Sequence, residues 1–481
     1  MKNKFQLLIF LFFAVIFAAL VFRNVQLSQV PLQDWDESIY ARVAYESAKD
    51  HHLSMTYNQE LWLEKPPLLV YLLSGVMMLS GQSEFWLRSI SIIFGMAVLV
   101  CLYLLSKKIG LALFKKDVPY LRFVALLPVM VVLSTQLFIE RTTYIDYDMP
   151  LALGWLLFFL ADSFGLQLLA LMIGVLSKSL LGFFPFVFDF LYLKKMNRPL
   201  WQWLALLLVP LVWHFISWAV YGETFIQVHI IDHLFKRVSD PIELHFGGRM
   251  FYVKELVSQF SLLLVVIGGA YVVLGISFIK KFLKKKTFPD HETLILLSPL
   301  AYLAFLTISK TKIPWYIMPT LPLLSLSVLY LFYAIQNKWF RIVLSVFIVG
   351  FFGYTFTRHT FLFNPDTTFK DKDKVAMCLQ KLPQSTVAML VDEEERKIKN
   401  VFDAAHLGIS SSFIYGGSPA FVYYSRKKVD FYYDVKEFTK KAPTYKVVVV
   451  KKSDQTSLDG ITKSPSCKSG DWESFTIESS Q

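Results

Sequence analysis

FQLLIFLFFAVIFAALVF, residues 5–22, holds a single polar side chain, Gln6. As a helix these residues reach roughly 27 Å, close to the hydrocarbon thickness of a bilayer. Lys2 and Lys4 in front of it resemble the basic end of a secretory signal. The apolar run is too long for one and lacks a small-residue cleavage site. The stretch therefore reads as an uncleaved first membrane helix.

The rest of the chain repeats this character. Its 481 residues are 55% hydrophobic and only 18% charged, with a mean hydropathy of +0.47. This composition is that of a polytopic membrane protein and not of a string of soluble domains. A net charge of +12 could signal nucleic acid. The bases instead form short clusters between apolar runs: Lys2/Lys4, Lys107/Lys108/Lys115/Lys116, Lys194/Lys195/Arg198, Lys280/Lys281/Lys284/Lys285/Lys286 and Lys338/Arg341. Clusters of this kind report topology, and no nucleic-acid partner is expected.

With every cluster in the cytoplasm, the spans fall at 5–22, 87–106, 119–138, 149–163, 165–177, 180–193, 200–220, 258–279, 292–309, 316–335 and 340–358. The expectation is about eleven helices, N-terminus inside and C-terminus outside. Pro67–Ser80 is about 21 Å long as a helix and is laid along the interface. Segment 165–193 is broken at Lys178, because an unbroken span would turn later basic clusters outward. Loops 26–86, 139–148, 221–257 and 310–315, with the turn at Lys178, then share the outer face. From about Arg358 the composition becomes mixed, with strand-like runs at Val387–Val391, Phe431–Tyr433 and Tyr445–Val450. Residues 1–358 thus read as a membrane domain and 359–481 as a small soluble α/β domain outside it. Cys378 and Cys467 lie in that tail, where a disulfide and two buried thiols are both open, while three cysteines in all exclude a cysteine metal cage.

Chemistry-bearing residues concentrate in the outer loops. Asp36 opens an amphipathic stretch; it can cap a helix with Glu37 in the first turn, or act as a general base. Lys65, before Pro66-Pro67, can snorkel to headgroups or bind a phosphate, with Glu64 orienting it or holding a cation. Asp148 follows Glu140, Arg141 and Asp146 and can be a helix cap. Lys178 sits between apolar runs and needs a phosphate, a carboxylate or an interface. His229, His233 and Arg237 repeat at helical spacing, with His245 and Arg249 following. Two such histidines are weak evidence for a metal, and anionic lipid suits the same face.

Asp36-Glu37-x-x-Tyr40-Ala41, Glu64-Lys65-Pro66-Pro67, Asp148-Met149-Pro150-Leu151, Leu176-Ser177-Lys178 and Ser309-Lys310-Thr311-Lys312-Ile313-Pro314-Trp315-Tyr316-Ile317-Met318-Pro319 occur in this order. The ensemble resembles the bacterial branch of the protein O-mannosyltransferase and lipid A aminoarabinose transferase superfamily, the GT-C glycosyltransferases that use polyprenyl-phosphate sugars. It covers roughly residues 1–325. The chain has Ile39 where aminoarabinose transferases carry arginine, which separates the aminoarabinose donor from the wider assignment.

The resemblance implies an inverting transfer at the outer face of a bacterial inner membrane, from a polyprenyl-phosphate sugar to a lipid, protein or envelope glycan. A sugar leaving on phosphate needs cations more than an acid, so Lys65, Lys178, Arg237 and Lys312, with Tyr316, are assigned to the phosphate. Asp36 is assigned as base, Asp148 as its support, and Glu37, Tyr40, Glu64 and His245 as substrate contacts. The residues themselves require no cofactor. The resemblance adds a divalent cation held by Glu64 with His233 or His245. The competing reading, a permease or lipid flippase, would place ionisable groups at the middle of broken helices.

The topology has a direct check. Single cysteines placed near Lys115 and Lys285 should resist an impermeant thiol reagent in intact cells, while one in the tail should label. Labelling at the lysine sites would overturn the arrangement.

Overall fold

The structure is a computed structural model that describes the chain except for residues 1, 51–52, 115–119, 194–197, 286–289, 366–367, 406–407, 410–412 and 478–481. Lys115, Lys116, Lys194, Lys195 and Lys286, on which part of the topological reading rests, lie outside the described residues. Among the described residues, seven helical runs are long and apolar enough to cross a membrane: Phe5–Leu27, Glu84–Phe114, Phe164–Tyr192, Leu200–Tyr221, Leu263–Lys284, Asp290–Ile308 and Lys338–Thr360. Leu121–Leu133 and Gln136–Thr143, bent by 79°, supply an eighth if taken together. The chain is a multi-pass membrane protein.

The expected eleven spans are not found as eleven such helices. Ser134 and Thr135 bond back to the carbonyls of Met130 and Val132, and extended Thr135 ends the helix within the run expected at 119–138. The run expected at 149–163 is a helix of only 13 residues, Asp148–Leu160. The one expected at 316–335 divides into Pro314–Ile317, Thr320–Ser325 and Val328–Ala334, with Pro319 at the first break.

Six helices position the site: α1 (Lys2–Leu27), α2 (Asp36–Asp50), α3 (Leu68–Ser80), α4 (Glu84–Phe114), α5 (Asp148–Leu160) and α6 (Phe164–Lys178). α5 and α6 form an antiparallel hairpin whose backbones touch, because a Cβ on Gly154 would stand 2.8 Å from the Ala170 carbonyl oxygen. This puts Asp148, at the head of α5, beside Lys178, at the tail of α6. The chain then reverses at Ser179, with φ 50° and ψ −131°. Gly182 packs back on Gly174, so closely that a Cβ there would lie 2.2 Å from the Gly174 carbonyl carbon. In one continuous helix these two residues would stand about 12 Å apart. Trp155 stacks on Phe184 at 4.3 Å and Phe159 meets Phe188 at 6.2 Å, so the returning arm runs beside α5 in the same direction. Arg198 ends beside Gln167, near the start of α6. The break expected at Lys178 is therefore a true reversal, although run 164–192 passes as one segment by length and composition.

A buried ion pair joins the first helices. Arg88 of α4 donates to both carboxylate oxygens of Glu37, at 2.9 and 2.7 Å, and to the carbonyls of Leu27, Val30 and Pro31. Glu37 also accepts from the backbone N–H groups of Gln33 and Ile145, each at 2.9 Å. The end of α1, the start of α2, α4 and the loop before α5 thus meet at one carboxylate.

The tail carries β1 (Thr386–Leu390), β2 (Lys428–Tyr432), β3 (Val447–Lys451), β4 (Lys463–Ser469) and β5 (Trp472–Ile477) in the spatial order β2, β1, β3, β5, β4. β1 is parallel to β2 and β3, and β5 is antiparallel to β3 and β4. β1 and β3 coincide closely with the runs read at Val387–Val391 and Tyr445–Val450, β2 begins three residues before the run at Phe431–Tyr433, and β4 and β5 were not read. β4 escaped that reading because it is a polar edge strand containing Pro465. Both sheet faces are covered, which is why Val447, Val448, Val449 and Val450 are all buried. Ala388, Val448 and Val450 pack with Phe438 and Phe475. Val387, Met389, Val447 and Val449 share a core with Tyr40, Val43, Trp62 and Leu73 of the first loop. The tail is therefore fused to the membrane domain through α2 and α3. A Cys378–Cys467 disulfide, 89 residues apart in sequence, closes it, and chain-entropy arguments give such a loop roughly 4–5 kcal/mol.

Arg88→Leu leaves the Glu37 charge buried and uncompensated. It should lower the unfolding free energy by about 3–5 kcal/mol, read as a drop in melting temperature of the detergent-solubilised protein. An unchanged melting temperature would remove the pair from that role.

Candidate active site

A cavity of about 660 Å³ lies between the membrane helices and the tail. Asp36, Tyr40, Glu64, Lys65, Asp148, Lys178, Arg237, His245 and Tyr316, all singled out in the sequence, line it together. Asp36 is half-buried at the first residue of α2, which the chain enters through Trp35 at φ 86°. One turn on, the Tyr40 hydroxyl donates to Asp36 Oδ1 at 3.2 Å. Tyr40 is held edge-on to Tyr147 at 4.8 Å.

Three cations share one part of the wall. Lys65 lies at a bend in a loop pinned on both sides: His229 Nδ1 stands 2.9 Å from the Leu63 carbonyl, and the Tyr147 hydroxyl donates to the Pro66 carbonyl at 3.1 Å. Burial, with the charges of Arg237 and Lys178, holds the Lys65 ammonium down at about 8. Among the described residues it has no ion-pair or hydrogen-bond partner. Lys178 pairs with Asp148 Oδ1 at 2.5 Å and sits 4.8 Å over the Tyr316 ring. Arg237 bonds Glu243 at 2.9 Å, and its buried Nε has no hydrogen-bond partner among the described residues.

A second group lies beside Asp148. Arg141 stands 3.9 Å from Asp146 and 4.5 Å over Trp315. Asp146 Oδ1 accepts from the Asp148 N–H at 3.0 Å. Burial and then the Asp148 charge push the Asp146 carboxyl well above the usual range. Among the described residues, one oxygen each of Asp146 and Asp148 is buried without a hydrogen-bond partner. Such atoms are what a hydroxyl-rich or cationic ligand group would satisfy.

Three expectations are corrected. Glu37, expected to touch substrate, points away from the cavity and is consumed by Arg88 and two backbone N–H groups. Lys312, expected on the phosphate, turns inward to the carbonyls of Leu306, Thr307 and Ser309. There it satisfies the exposed carbonyl end of helix Asp290–Ile308, a favoured place for a cation. His233 does not line the cavity. It comes within 3.5 Å of Glu64, but among the described residues no group of three His, Cys, Asp or Glu converges on a metal position. This donor set is incomplete for a divalent cation, and no chemistry is assigned to one.

Other wall residues had no role in the sequence reading. Arg141 and Asp146 were visible only as loop charges, and Trp315 only as part of a motif. The tail supplies Glu395, Phe413, Tyr415 and Tyr433 as a roof. Tyr415 donates to Glu64 and accepts from Trp62 Nε1. The one local signal was the glycine pair after it, Gly416 and Gly417, with φ of 59° and 64°. A Cβ at Gly416 would collide with the Phe431 ring.

No protein-family model matches the sequence, and no curated protein does. Among solved structures, ArnT from Cupriavidus metallidurans bound to undecaprenyl phosphate superposes with a TM-score of 0.66 at 14% identity, over 97% of this chain and 98% of that one. The apo state of the same protein gives 0.66 at 15% identity over the same shares. The Archaeoglobus fulgidus oligosaccharyltransferase, solved with zinc and sulfate, gives 0.45 at 13% identity over 90% of this chain and 68% of that one. At these identities the likeness to ArnT is one of fold. The chain shares the fold of ArnT over nearly its whole length, membrane helices and tail alike.

Lys65 offers a direct test of the electrostatics. With its ammonium at about 8, about half should be neutral and open to acylation at pH 8, against well under one in a hundred for an ordinary lysine. Competitive labelling across pH, read by mass spectrometry, should show an inflection near 8 for Lys65. An inflection above 10 would overturn the assignment.

Proposed function

We propose that this chain is an integral-membrane glycosyltransferase that moves a sugar from a polyprenyl-phosphate donor to an acceptor hydroxyl on a lipid, protein or envelope glycan, with inversion. The observation that carries the reading is the meeting, in one cavity, of Asp36 with Lys65, Lys178 and Arg237. The fold shared with ArnT, solved with undecaprenyl phosphate, supports the donor class.

In this reading the donor phosphate lies against Lys65, Lys178, Arg237 and Tyr316, and the sugar reaches toward Asp36. The acceptor oxygen attacks the anomeric carbon from the face opposite the phosphate. Its proton passes to Asp36 as the bond from the anomeric carbon to the phosphate oxygen breaks. The polyprenyl phosphate leaves with its negative charge, which the cations stabilise in a partly desolvated site where such charges count for more than in water. Among the described residues, Lys65 is the cation with no internal partner to give up. Asp148 holds Lys178 in place, and its second oxygen is available to the sugar or acceptor. The same reading puts the cavity and the tail, residues 359–481, on the outer face of a bacterial inner membrane.

Asp36→Asn should leave binding of undecaprenyl phosphate intact and reduce transfer by about 10²–10⁴-fold. Turnover within a few-fold of wild type would remove Asp36 as the base.

A further inference from the structure

Ser179 has a backbone that serine rarely adopts, φ 50° and ψ −131°. Glycine would accept this turn without strain, so a serine here implies a use for its hydroxyl. That hydroxyl is buried between two imidazoles, 3.0 Å from His214 Nε2 and 3.1 Å from His229 Nε2. The proton positions follow from the far end. The Leu63 carbonyl can only accept, so His229 carries its proton on Nδ1 and donates there. His229 Nε2 then accepts from Ser179, and the Ser179 oxygen accepts from His214 Nε2. Burial holds the His229 imidazolium down at about 4, which keeps the ring neutral near pH 7. Phe225 stacks on His229 at 5.0 Å, and Trp213 meets it edge-on at 5.4 Å, fixing the ring plane.

The relay links two segments that carry site residues. Ser179 is the residue after Lys178, and Leu63 lies two before Lys65. None of Ser179, His214 and His229 lines the cavity, so they touch no substrate. The geometry points to His214, Ser179 and His229 as positioning residues that set the spacing of Lys65 and Lys178 and thereby tune the affinity for the donor phosphate. This rests on the proposed phosphate-binding role of those lysines. A polar trio present only to fill space would have no reason to tie these two segments together at the cost of a strained turn.

The test uses the full-length protein in detergent, titrated with undecaprenyl phosphate. Ser179→Gly keeps a backbone suited to the turn and removes the hydroxyl. It should weaken phosphate affinity about tenfold while keeping the fold, with the loss in transfer falling mainly on the donor KM and less on kcat. His214→Phe keeps an aromatic ring but removes the donor and should behave likewise. His214→Gln, which restores an N–H near the same place, should recover most of that loss. Wild-type affinity in Ser179→Gly and His214→Phe would overturn the relay, as would equal losses in His214→Phe and His214→Gln, the mark of packing alone. Lys178→Met separates the two claims. If it loses phosphate affinity while the relay variants do not, only the relay falls; if it binds normally, the phosphate reading of the site falls with it.

Discussion

The buried Arg88–Glu37 pair is the constraint on which the site depends. A guanidinium has five donors and a carboxylate several acceptor positions, and here nearly all are used at once on groups from four separate segments. Taking both charges out of water is costly, and the attraction between them repays it only with such complete bonding. The pair is thus more telling as a geometric device than as a source of stability. It sets the exit of α1, the entry angle of α2 and the loop before α5. It thereby positions Asp36, next in sequence to Glu37, and brings Asp146 and Asp148 round to the same cavity.

Charge within the cavity is arranged by the same logic. Asp148 neutralises Lys178, and Glu243 offsets Arg237. Among the described residues Lys65 is left without an internal partner, close enough to both cations for its own charge to be disfavoured. A site of this kind prefers an anion, because an arriving negative charge relieves repulsion that the folded protein already carries. Asp146, next to the Asp148–Lys178 pair, shows the opposite imbalance, a carboxyl disfavoured by burial and by the Asp148 charge.

The tail completes this chamber. Arg42 of α2 donates to the carbonyls of Val422 and Lys427, and Asp34 takes Lys370, Lys372 and the Ala420 N–H. With the shared apolar core, these contacts hold the sheet over the cavity. Tyr415 then reaches Glu64, so a residue of the tail orients a carboxylate of the first loop.

Much of the fold was legible in the sequence because its signals are local. The length of residues 5–22, the short basic clusters and the valine run at 447–450 each follow from periodicity or composition within a short window. The break at Lys178 was legible for a different reason: a charge amid apolar residues restricts where the chain can run. Asp36, Lys65, Asp148, Lys178 and Tyr316 could be picked out because each sits at a helix end or beside prolines, in motifs whose order is itself informative. What could not be read is which partner each charge finds. Glu37 stands beside Asp36 in sequence yet serves Arg88, and Lys312 belongs to the same motif as Tyr316 yet turns away to cap the helix before it. The roof over the cavity comes from residues about 350 positions beyond Glu64. A charged side chain states only that it needs a counter-charge or a hydrogen bond. Which group answers depends on distances across the folded molecule, and these exist only once the helices have packed.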